Sequence, residues 1–108
     1  MFPIIPAASA AGEKNQEGIF GFGSSSGPQS MTNLVSNAGV VATDVAGVGA
    51  TRRSLAACEF GGDKAIFGFG STGSFTAVTN LVSNAGVVAT DTVGVGTGRL
   101  GLAACSFN

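Results

Sequence analysis

The sequence predicts an all-β protein built as two copies of one unit. The first sign is repetition: "TNLVSNAGVVATD" runs from Thr32 to Asp44 and again, without a substitution, from Thr79 to Asp91. The offset of 47 residues continues on both sides, and from Ile19 to Phe60, 28 of 42 positions equal their partners. The second sign is texture. Short runs of β-branched and aromatic residues alternate with Gly, Asn and Ser clusters, the pattern of strands and turns. The third is the weakness of any helical reading. Leu34, Ala38 and Val41 have helical spacing, but Gly39, two Asn residues and three Val within the phrase oppose a helix.

Each element follows from its residues. In "KAIFGFG", Ala65, Phe67 and Phe69 alternate with Ile66, Gly68 and Gly70, which predicts a strand with two unlike faces. Its counterpart is "IFGFGS" at Ile19–Ser24. "TNLVSN" and "VVATD" predict two further strands separated by Asn-Ala-Gly. "SLAACEF" predicts a fourth, closed by the turn Gly61-Gly62-Asp63, and "LAAC" returns at Leu102–Cys105. Ahead of the repeats stands "MFPIIPAASAAGEKNQEG". Ala8-Ser9-Ala10 resembles a signal-peptidase site, but no basic residue precedes the apolar stretch, and Pro3 and Pro6 interrupt it. The expected organisation is an extended arm over 1–16 and a repeat unit over 17–108, with repeat 1 at 17–61 and repeat 2 at 64–108.

Composition narrows the chemistry. Charged residues are 10% of the chain, against roughly 25% in an average domain. A surface so poor in charge is expected to be covered in part by other subunits. The five basic residues, Lys14, Arg52, Arg53, Lys64 and Arg99, are too scattered to neutralise a phosphate backbone, so no nucleic-acid partner is expected. No window is apolar enough for a transmembrane helix, and no membrane partner is expected. There is no histidine, which excludes Ser-His and Cys-His nucleophiles and His metal sites. "GFGSTG" at Gly68–Gly73 spells G-x-G-x-x-G, but a strand-like Ser-Phe-Thr-Ala-Val-Thr follows, and the first repeat reads "GFGSSSG". A dinucleotide site needs a helix opening at that loop, so no cofactor is expected. Cys58 and Cys105 occupy equivalent places among alanines and are read as small hydrophobes in an inner strand.

A period in the forties with four strands per unit is the pattern of a β-propeller blade. The stretch "RSLAACEFGGDKAIFGFGS", followed by "VTNLVSNAGVVATD" and "GVGTGR", resembles a kelch-type blade between Arg53 and Arg99. It has an Arg before a small-residue strand, a turn, an aromatic strand ending in glycines, and an Asn-led strand ending in Asp. The chain also resembles diverged kelch-like repeats found in phage structural and tail-associated proteins. Gly-Phe-Gly stands where Gly-Gly is usual, the late Trp is absent, and no ligand site carries over.

Two blades leave two apolar faces open, and a propeller closes with about four to eight. The expected remedy is a ring of copies, a trimer with six blades being the usual kelch-like number. If "SLAAC" is the innermost strand of a blade, Leu102–Phe107 has no blade in its own chain and completes the first blade of a neighbour. Expected interface residues between copies are Ile19, Phe20, Phe22, Leu102, Ala104 and Phe107. Asp44 and Asp91 are expected to cap strand ends or to pair with Arg52 and Arg99 as locks between blades. The unchanged phrase then reflects identical neighbours around the ring, or a recent duplication. The resemblance, the sparse charge and the arm together imply a non-enzymatic structural or attachment component of a phage-type virion, with the arm docking on a larger assembly. The alternative is a freestanding multivalent glycan-binding lectin, for which Trp and Tyr stacking platforms are absent.

Overall fold

The computed structural model describes residues 16–107. The expected arm, apart from Gln16, and Asn108 lie outside the described residues. Among the described residues there is no helix, and five strands are formed: β1 (Gly18–Gly21), β2 (Thr32–Val35), β3 (Ala56–Phe60), β4 (Lys64–Gly68) and β5 (Thr79–Val82). They make two antiparallel sheets, β1–β2 and β3–β4–β5. The all-β expectation therefore stands.

The repeat is visible in the register. Ile19 faces Leu34 in the first sheet, and Ile66 faces Leu81 in the second. After β2 and β5 the chain turns identically. Ser36 Oγ accepts the Ala38 and Val40 amides, and Ser83 Oγ accepts those of Ala85 and Val87. Gly39 and Gly86 hold φ of 82° and 79°, which suits a residue without Cβ. In the second sheet, β3 runs through Gly61-Gly62-Asp63 into β4, with Phe60 opposite Lys64.

Three expectations need correcting. "VVATD" returns antiparallel to its neighbour in both copies, yet it is not a strand. Val35 faces Val41 and Thr32 faces Val45, so three steps along β2 oppose four along the return. That extra residue is a β-bulge, and it recurs where Val82 faces Val88 and Thr79 faces Thr92. The bulge leaves a carbonyl outside the ladder. Asn33 Nδ2 donates to Ala42 O at 3.1 Å, and Asn80 Nδ2 to Ala89 O at 3.1 Å. The alternation of "KAIFGFG" stops at Gly68, because Phe69 turns to φ 65°, as Phe22 turns to φ 62° in the first copy. Finally, 102–107 forms no strand among the described residues, although its counterpart β3 does. β3 has β4 beside it in its own chain; 102–107 has no such edge among the described residues.

The core is small and lies between the sheets. Phe22, Phe67, Val82 and Val88 are its buried members, with Ile19, Val48, Leu55 and Ala65 packed around them.

Candidate functional site

The most organised group of side chains joins the two sheets, and Arg52 is its centre. The backbone of Arg52 is fixed to the first sheet: its N–H donates to Gln29 O at 3.0 Å, and its carbonyl accepts from Gly23 N at 2.9 Å. The side chain then crosses to the second sheet and is fully buried. Nη1 donates to Val78 O at 2.8 Å and Phe69 O at 3.4 Å, Nη2 to Asn80 Oδ1, and Nε back to Ala50 O at 3.3 Å. The guanidinium lies 4.5 Å from the centroid of Phe22. Phe22, in turn, meets Phe67 at 5.1 Å and 54°. The left-handed backbone of Phe22, which costs on the order of 1–3 kcal/mol, aims its ring at the cation and at the opposite sheet.

The polar chain closes on itself. Asn80, also fully buried, donates to Asp91 Oδ1 at 2.8 Å, and Asp91 accepts the Ala50 amide at 3.3 Å. First sheet, second sheet and the connecting chain are thus linked by Arg52, Asn80, Asp91 and Ala50. Burial lowers the pKa of Arg52, and the charge of Asp91 opposes that shift. The guanidinium is the most basic of the side chains and carries its charge in proteins. Among the described residues no buried side-chain N or O lacks a partner.

The same residues occur again at both ends of the molecule, without the opposite half. After the second sheet, Arg99 is held by Thr76 O and Gly70 N as Arg52 is held by Gln29 and Gly23. Its guanidinium also lies 4.5 Å from a phenylalanine, Phe69. Beyond that it bonds only Thr97 O, at 3.1 Å, among the described residues, and it is exposed. In the first sheet, Asn33 donates to Asp44 Oδ1 at 2.7 Å, as Asn80 does to Asp91, but no guanidinium reaches it. Phe67 is 5% exposed and its mate Phe20 63%; Val88 is 9% exposed and Val41 53%. Val48 packs on the core, whereas Val95 is 85% exposed.

Two glycine pairs repeat the asymmetry. A Cβ on Gly86 would lie 2.7 Å from Leu34 Cδ2, while one on Gly39 would meet nothing within 4 Å. A Cβ on Gly49 would collide with Asp91 and Asn80, while one on Gly96 would meet nothing within 4 Å. One junction is filled inside the chain. Its two half-sites are open at opposite ends.

The residues expected from sequence fall on this plan unevenly. Arg52 and Asp91 are brought together, but through Asn80 rather than as a direct ion pair. Asp44 meets Asn33, and Arg99 lies at the other open end. Phe22 is buried inside the chain, so on the open face its place is taken by Phe69. Ile19 packs beside the core, Phe20 is exposed, Leu102 is half-buried, and Ala104 and Phe107 are exposed. Asn33 and Asn80 were not singled out, although each stands 11 residues before its Asp in both copies of the phrase. Cys58 and Cys105 are free and line one open groove of about 390 Å³ with Phe60 and Phe107.

At Gly68–Gly73 the chain bends into a bridge between Ser71 and Phe75, and no helix opens there. Among the described residues no helix is long and apolar enough to cross a membrane. Compared with protein-family models, curated proteins and solved structures, the chain matches none of them.

Proposed function

We propose that this chain is a non-enzymatic assembly protein whose copies close into a β-propeller-like ring, three chains giving six kelch-like blades. In this reading each blade comprises β3, β4, β5 and the bulged return, and the first blade of every chain borrows its inner strand from a neighbour. The observation that carries the reading is the filled junction inside the chain together with its two open halves. Phe20, Val41 and Val95 are large apolar side chains exposed at positions whose repeat mates are in the core or packed against it. Such exposed apolar patches mark interaction surfaces. A contact that joins unlike faces head to tail closes into a ring when its rotation fits.

The resemblance to kelch-like repeats of phage structural proteins, the sparse charge and the segment preceding the repeats support a place in a virion, as a structural or attachment part. Native mass measurement tests the ring: a trimer is expected, and a stably folded monomer at micromolar concentration would overturn it. Glycan binding separates the virion part from a lectin. Little or no binding is expected on an array, since Trp and Tyr are absent. Saturation at micromolar sugar, about −8 kcal/mol, would favour the lectin.

A further inference from the structure

We infer that Arg99 docks into the Asn33–Asp44 pair of a second copy of this chain, reproducing between chains the contact that Arg52 makes with Asn80, itself held by Asp91, within one. The inference rests on the self-assembly reading and names the chemistry of its joint. The occupant follows from the internal repeat. The chain already contains one example of this interface, filled, and each side of it recurs at an open end with the same residues in the same local geometry. Arg99 is stacked on Phe69 as Arg52 is on Phe22, with matching 4.5 Å separations. Asn33 is held by Asp44 and Ala42 O as Asn80 is by Asp91 and Ala89 O. A guanidinium arriving at Asn33 finds a carboxamide oxygen with no partner among the described residues, beside a carboxylate that complements its charge.

The rest of the two faces agrees. Placed as in the internal junction, Phe20 of one copy covers Phe69 of the other, as Phe67 meets Phe22. Leu81 settles over the open Gly39 of the second copy, as Leu34 does over Gly86. Gly96 leaves room for Asp44, as Gly49 does for Asp91. No atom of this joint pairs with its own equivalent, so the contact is heterologous and each chain carries one donor face and one acceptor face.

Two variants of the full chain test this, each disabling one face. Arg99→Ala removes the donor, and Asp44→Arg places a like charge in the acceptor. Both positions are exposed in the single chain, so each variant is expected to keep its fold, checked by circular dichroism and urea unfolding. Alone, each is expected to associate on the order of a hundredfold more weakly than the wild type, the loss typical of breaking a buried charge-assisted contact. Mixed in equal amounts, they retain one intact joint between them: Arg99 of the Asp44→Arg chain with Asn33 and Asp44 of the Arg99→Ala chain. A heterodimer that grows no further is the expected species by native mass spectrometry. Wild-type assembly by either variant alone, or a mixture that stays monomeric, overturns the inference while leaving the ring reading intact. A monomeric wild-type chain at the same concentration overturns both.

Discussion

Replacing Arg52 by alanine is expected to destabilise the folded chain by about 3–5 kcal/mol, the cost of removing one partner from a buried charged network. Three half-buried backbone carbonyls and the buried Asn80 carboxamide oxygen accept from this guanidinium and lose their donor with it. Asp91 loses an opposite charge that it interacts with, and Phe22 loses the group stacked against it. A chain of this length has a stability of about 5–15 kcal/mol, so the loss is a large fraction of the whole. Arg52→Lys keeps the charge but neither the planar fork nor the stacking, and an intermediate loss is expected. Arg99→Ala is the internal control. It removes the same residue type from the same local geometry, but from an exposed site, and stability within the single chain is expected to change little. Urea unfolding at one fixed dilute concentration compares the three. Equal midpoints for Arg52→Ala and the wild type would remove the junction from its place as the main lock between the sheets.

Deleting Leu102–Asn108 is expected to abolish assembly while leaving the two sheets folded. Residues 102–107 take part in no strand, and Phe107 is 94% exposed, so the single chain depends on them little. Transposed by the repeat offset, the β3–β4 register places Ala103 opposite Gly21, Cys105 opposite Ile19 and Phe107 opposite Glu17 of the neighbouring copy. In the proposed ring the segment supplies an inner strand beside β1, which among the described residues pairs only with β2. Without it, β1 keeps an open edge available to any passing strand, an aggregation hazard. If the ring forms as proposed, the contacts of Leu102 and Phe107 with the neighbour are lost as well, at roughly 2–5 kcal/mol for each large side chain. Size-exclusion chromatography and circular dichroism read the two halves of this expectation. A truncated chain that elutes with the wild type and unfolds at the same midpoint would show that each chain holds its blades alone.

Several local features were legible because they depend on near neighbours in the chain. The Gly61-Gly62-Asp63 turn, the Ser-Asn-Ala-Gly turns and the strand "TNLV" need only propensity and turn chemistry, and the last two form in both copies; "AACEF" is a strand only in the first, where β4 stands beside it. Other features were not, because they depend on pairing between segments and not on the preference of each segment alone. The bulge in "VVATD" arises from a register mismatch against β2 and β5, which β propensity does not report. The left-handed Phe22 and Phe69 run against intrinsic preference for a bulky residue. Each is accompanied by an arginine more than 25 positions away, a pairing that alternation along a strand cannot reveal. The asparagines were overlooked because a side chain that replaces a backbone donor looks, in sequence, like an ordinary turn-proximal Asn.

By itself the sequence determined an all-β chain, the period of 47 residues and the near-identity of the two units. It also determined which residues would meet if two units pack side by side, since the same contacts must serve wherever that packing occurs. It could not determine which copy lies inside. Thr32–Asp44 and Thr79–Asp91 are letter for letter the same, yet Asn80 is fully buried and Asn33 only partly, and Val88 is core where Val41 is exposed. Local preferences are equal for equal sequences, so the difference comes entirely from what stands opposite each copy. The second sheet has the first beside it, with Phe22 and Arg52 reaching across. Among the described residues the first sheet has no such unit on its acceptor side, and only tertiary packing decides that.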